Sequence, residues 1–205
     1  MEIAVSTRPR LALAGRITIW SGLLGAASGL LLALRPPAVS ADQWSYPQGE
    51  VEFALTQTWF AVQHLGLALG IWALWELTGR RSRFGYYAAL GGMLALAIIE
   101  LVAIIPASEA LEAPMVVALG VAYGIVAFVI GVGIVAMGVA VIRSGALSGW
   151  DRWVPLSLGL WVFCPMMPAI ATSFLGARLS IAGWMLLFAA LGWVILRREA
   201  VGYAP

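Results

Sequence analysis

Six apolar runs of membrane-crossing length, with arginine gathered in alternate links between them, restrict this chain to one kind of architecture. Hydrocarbon offers a backbone N–H or C=O no partner, so each run must satisfy itself as a helix. The runs predict spans from Arg16 to Leu34, Phe53 to Leu77, Tyr86 to Ile105, Pro114 to Ile142, Trp153 to Phe174 and Leu179 to Leu196. Of the twelve basic residues, all arginine, ten belong to one side: Arg8, Arg10 and Arg16 at the first run, Arg80, Arg81 and Arg83 after the second, Arg143 and Arg152 after the fourth, Arg197 and Arg198 after the sixth. Arg35 and Arg178 are the exceptions. Positive residues resist translocation, so this asymmetry predicts a multi-pass protein of a bacterial inner membrane with both termini cytoplasmic.

Composition agrees, with 62% hydrophobic and 11% charged residues in 205. Six spans of about 20 residues use most of that length. The expected fold is therefore one all-α polytopic helix bundle covering residues 1–205, with no soluble domain. The net charge of +2 comes from arginines at helix ends, where they anchor to headgroups, and no nucleic-acid partner is expected. Arg8 and Arg10, the run from Ile17 to Leu34 and the small residues Ala38 to Ala41 imitate a signal peptide. The run is longer than an h-region, and Arg35-Pro36-Pro37 intervenes, so a retained first span is expected.

The link from Pro36 to Glu52 is the longest on the acidic side and carries Asp42, Glu50, Glu52 and Trp44-Ser45-Tyr46-Pro47. It reads as an interfacial loop capping the bundle, or as a lid over a ligand entrance. Most tryptophans fall near predicted boundaries, as an aromatic belt should; Trp161 and Trp184 lie deeper. Small residues at helical spacing, Ser21, Gly25, Ser28 and Gly29 in the first span and Gly120, Gly124, Ala127 and Gly131 in the fourth, are expected packing faces.

Chemistry is concentrated in the second and third runs. Thr56, Gln57, Phe60, Gln63 and His64 recur at spacings that predict one helix face, and lipid would penalise it, so it should look inward. Glu100 interrupts the apolar third run, and ionisable groups at such depth usually face a partner or a wet cavity. His64 lies nine residues inside Leu55 and Glu100 six inside Pro106, depths of roughly 13 and 9 Å at ~1.5 Å per residue. Antiparallel neighbours touch, so a His64 to Glu100 hydrogen bond or ion pair is expected. In the fifth run Cys164-Pro165-Met166-Met167-Pro168 must free backbone carbonyls and bend the helix. The candidate ligand-binding or proton-relay residues are thus Gln57, Gln63, His64, Glu100, Tyr123, Trp161 and Pro165.

With one histidine and one cysteine, no metal site, haem or other cofactor is expected. No catalytic set emerges, and an enzyme is the lesser reading, on a lipid or isoprenoid with Glu100 or Glu76 as acid and His64 as base. The Trp44 to Pro47 segment, Gly92-Met93-Leu94-Ala95 running to Glu100-Leu101, and Arg152-Trp153-Val154-Pro155-Leu156 resemble pieces of small, uncharacterised multi-helix integral membrane proteins of bacteria. The resemblance implies topology and no activity. The function expected is binding or transport of a small ligand through an outward-facing polar pocket between spans two, three and five; the alternative is an accessory or assembly subunit of a larger membrane complex. Expected partners are the bilayer, a small or lipophilic ligand, and a membrane-protein partner or second copy.

Overall fold

The computed structural model describes residues 3–201, and the side chains of residues 9–198; the terminal Arg8 side chain lies outside that set. Six helices are long and apolar enough to cross a membrane. They are α1 (Ile3–Leu34), α2 (Glu50–Leu77), α3 (Arg83–Val102), α4 (Pro114–Ser144), α5 (Asp151–Thr172) and α6 (Phe174–Val201). No strand occurs among the described residues.

Each helix packs on its neighbour in sequence, from α1–α2 through α5–α6, and a long α1–α6 seam closes the ring. Helix α2 also touches α6 across the middle. The perimeter is apolar, with Leu31, Leu55, Ile98, Val121, Ile125 and Leu186 half or more exposed, which is what hydrocarbon-facing positions require. Inside, Leu67, Ile71, Met93, Ile130, Leu158 and Phe188 are essentially inaccessible.

Where lipid is as apolar as the side chains, helices associate through close packing, and glycine allows the closest approach. A Cβ on Gly22 of α1 would stand 2.5 Å from the Met185 carbonyl oxygen, and one on Gly192 of α6 would stand 2.6 Å from that of Gly15. At α3–α4 a Cβ on Gly133 would meet the Ala89 nitrogen at 2.5 Å. The predicted face of α4 is corrected in part: Gly131 packs on Phe163 and Val162, whereas Gly120 and Gly124 have nothing within 4 Å. The reason is rotational, because Gly131, Gly133 and Gly138 face α3 and α5 while Gly120 and Gly124 point out of the ring.

Several boundaries depart from the predicted ones, among them the start of α1, at Ile3 rather than Arg16. Helix α3 ends at Val102, and irregular turns carry the chain on to Pro114. The α5–α6 connection is a single residue, Ser173, in extended conformation (φ −164, ψ 155), whose hydroxyl accepts from the Gly176 N–H at 3.0 Å. That cap lets α6 begin at Phe174, five residues before its predicted start at Leu179, so Arg178 lies within the helix rather than in a link. Within α5 a π turn spans Val162–Met166, where Pro165 supplies no N–H to the preceding turn.

At the end opposite the arginine clusters, two links form one cover. The Trp44 N–H donates to the Glu109 carbonyl at 2.9 Å, Ser45 N–H to Ala107 at 3.2 Å, and Leu111 N–H to Asp42 at 2.8 Å. The side chains lock it down: Gln48 donates to Thr56 of α2 at 2.7 Å, Tyr46 meets Phe174 edge-on at 5.3 Å, and Arg35 pairs with Glu52. The Ser40 hydroxyl, donating to Asp42, holds that carboxyl below the usual carboxylate range.

Candidate functional site

Beneath this cover, side chains from three helices converge on one carboxyl group. The Gln57 amide of α2 donates to Glu100 Oε2 of α3 at 2.8 Å, and the Tyr123 hydroxyl of α4 donates to the same oxygen at 2.8 Å. Gln57 also donates to the Tyr123 oxygen at 3.2 Å, so the three groups close a triangle. All are placed by depth: Gln57 lies two turns into α2, Tyr123 between two and three turns into α4, and Glu100 just before the end of α3.

The second carboxyl oxygen faces His64. Its Oε1 lies 3.9 Å from His64 Nδ1, too far for a hydrogen bond. Nδ1 is fully buried and makes no hydrogen bond of good geometry among the described residues, its one backbone neighbour in loose range being Phe60, a turn back on α2. Gln57 and Glu100 are 6% and 7% exposed and His64 4%, so bulk water does not supply the missing partner. An orphaned buried nitrogen beside a carboxyl group is the least satisfied feature of the cluster.

A fifth residue belongs here, one whose place in the sequence disguises it. Arg178 of α6 has its guanidinium 5.0 Å from the Phe174 ring centroid and lies within Coulombic range of Glu100 and Tyr123, without pairing with the carboxyl group within 4 Å. It follows a break in hydrophobicity and so resembles a loop residue. The clue is its isolation, since Arg178 and Arg35 alone lie at the arginine-poor end, and Arg35 is neutralised by Glu52. Trp44 covers the group: its ring centroid is 6.4 Å from that of Tyr123 and 6.4 Å from that of Phe53, and its indole N–H donates to the Ala103 carbonyl at 3.0 Å.

The remaining candidates lie elsewhere. Gln63 turns to α1, where its amide oxygen is placed to accept from Trp59 Nε1–H at 2.7 Å and the Gly25 N–H at 3.1 Å. Spacing explains the split: Gln57 and His64 are seven residues apart and share a face, whereas six residues put Gln63 about 120° away. Trp161 donates its indole N–H to the Ser180 carbonyl at 2.8 Å and lies against Gly183, tying α5 to α6. Pro165 belongs to the π turn of α5, whose main partners are α4 and α6. Glu76 is held by Arg80 at 3.0 Å and lies twelve residues beyond His64 on α2, about 18 Å along the axis, so Glu76 and Glu100 do not converge. Among the described residues no three His, Cys, Asp or Glu side chains gather as a metal site.

Two depressions of the surface lie away from the cluster. One, of about 540 Å³, is an apolar groove between α1, α2 and α3 edged by Val62, Leu65 and Leu94. The other, of about 280 Å³, is at the arginine-rich end. Comparison with family models, with curated proteins and with solved structures returned no match.

Proposed function

We propose that this is an inner-membrane protein, both termini cytoplasmic, that binds or transports a small ligand at the covered cluster of Gln57, His64, Glu100, Tyr123 and Arg178, exchanging a proton there. The observation that carries the reading is the unpartnered, buried His64 Nδ1 only 3.9 Å from Glu100 Oε1. Structural polar groups in a membrane bundle are normally satisfied, and intramembrane ionisable groups mark ion or substrate paths. Gln57 and Tyr123 hold Glu100 Oε2 and leave Oε1 for exchange with the imidazole. A movement of about 0.7 Å in α2 or α3 closes the gap to hydrogen-bond length. The cover through Trp44 then acts as the gate on the outer side.

In proteoliposomes carrying a pH-sensitive dye, Glu100→Gln and His64→Ala are each expected to reduce proton flux at least about tenfold while leaving the helical content intact. Flux equal to the wild type in both variants sinks the relay. A second reading, an accessory subunit, is favoured by the uncovered Gly120 and Gly124 on α4, since small residues spaced by four suit a helix partner. A protein that purifies alone from mild detergent as a stable, monodisperse species counts against an obligate partner.

A further inference from the structure

At the arginine-rich end, remote from the covered cluster, Arg81 and Arg143 share the 280 Å³ depression with Ser144 and with Ala136, Val139 and Ala140 of α4. We propose that this is a binding site for one anionic phospholipid, its phosphate held between the two guanidinium groups and an acyl chain lying along α4.

The turn between α2 and α3 sets up the charge. Gly79 and Arg80 both adopt left-handed backbone conformations, φ 65 and 61, which is uncommon for arginine. Arg80 folds back onto its own helix, donating to Glu76 at 3.0 and 3.3 Å with its guanidinium 5.2 Å from the Trp75 ring centroid. Its charge is thereby used locally. Arg81, the next residue, lines the depression beside α4 instead. Among the described residues the arginines within 4 Å of a carboxylate are Arg35, Arg80 and Arg197, so Arg81 and Arg143 each lack an acidic partner there. Two uncompensated guanidinium groups from different hairpins, facing one space, call for an anion, and the planar fork suits a phosphate.

The rest of the lining selects a lipid over a soluble anion. Ala136, Val139 and Ala140 follow one another at three residues and then one, and Arg143 continues the same stripe by a further three. The charge therefore sits at one end of an apolar trough that runs from the helix terminus into the span. Its small side chains leave the volume open, about nine times the ~30 Å³ share of a liquid water. A free phosphate would gain nothing from that trough; a glycerophospholipid fills both parts. Clusters of basic side chains at the headgroup level attract anionic lipids. The site does not depend on which way the chain is oriented.

Protein purified in an uncharged detergent is titrated with phosphatidylglycerol and with phosphatidylcholine of the same chains, read by retained lipid in native mass spectrometry and by thermal midpoint. The wild type is expected to prefer phosphatidylglycerol. Arg81→Gln with Arg143→Gln should cut that preference by about 25-fold, roughly fivefold per arginine, while Arg83→Gln with Arg152→Gln at the same end leaves it within about twofold. Ala140→Leu, which fills the trough and removes no charge, should weaken the phosphatidylglycerol interaction severalfold and keeps the test decisive if the double variant does not fold. No preference in the wild type, an undiminished preference in the double variant, or the same arginine-dependent stabilisation by about 10 mM inorganic phosphate alone would overturn the assignment.

Discussion

Replacing Glu100 by leucine is expected to lower the stability of the bundle by about 2–5 kcal/mol, measured as a shift of the denaturation midpoint in micelles, because it strands two buried donors at once. The Tyr123 hydroxyl loses its acceptor, and one N–H of the Gln57 amide loses its own while the other keeps the Tyr123 oxygen. Each such loss costs about 1–3 kcal/mol when no water can enter. Two smaller changes separate this cause from simple loss of volume. Tyr123→Phe removes one donor and leaves the carboxyl group with Gln57, and single hydrogen bonds in membrane bundles are worth about 0.6 kcal/mol on average. Glu100→Gln keeps an acceptor oxygen and should cost under about 1 kcal/mol, although it ends proton exchange. The opposing effect is relief from burying an ionisable group, which can make an apolar replacement neutral. That relief should emerge only when Gln57→Leu and Tyr123→Phe accompany Glu100→Leu. If Glu100→Leu alone unfolds no earlier than the wild type, the triangle does not hold α2, α3 and α4 together.

The six helices and their order were legible in the sequence because the bilayer imposes one solution on every apolar run, and helix length follows from thickness. His64 and Glu100 were also legible as lying at similar depth on neighbouring helices, since antiparallel counting needs only the rise per residue. What counting does not supply is rotation. Gln63 and His64 are adjacent in sequence, yet one faces α1 and the other α3, and no hydropathy pattern separates two polar neighbours on a buried helix. Tyr123 matched in depth, but its contact with Glu100 depends on how α4 turns against α3, which the Gly133 and Gly85 seam decides. Arg178 was hidden for a different reason. A one-residue connection capped by Ser173 places it inside α6, and arginine near a turn ordinarily signals solvent.

Gly22→Val is expected to be the most disruptive change on the helix seams, costing about 3 kcal/mol or more, whereas Gly120→Val should be neutral or slightly stabilising. The difference follows from what each new Cβ would meet. At Gly22 it would lie 2.5 Å from the Met185 carbonyl oxygen and 2.7 Å from the Ala189 nitrogen, both backbone atoms that no rotamer change can move aside. At Gly120 nothing lies within 4 Å. Helices α1 and α6 must therefore separate to admit the side chain, and the dispersion attraction forfeited along the seam has no hydrophobic replacement in lipid. The consequence reaches the cluster, because α6 carries Arg178 and α1 backs it there: a Cβ on Gly29 would stand 3.5 Å from the Arg178 carbonyl oxygen. Displacing α6 moves Arg178 relative to Glu100. Gly22→Val should accordingly reduce proton flux as well as the denaturation midpoint, although it touches no polar residue, while Gly120→Val preserves both. A Gly22→Val protein as stable as Gly120→Val would contradict the close α1–α6 approach.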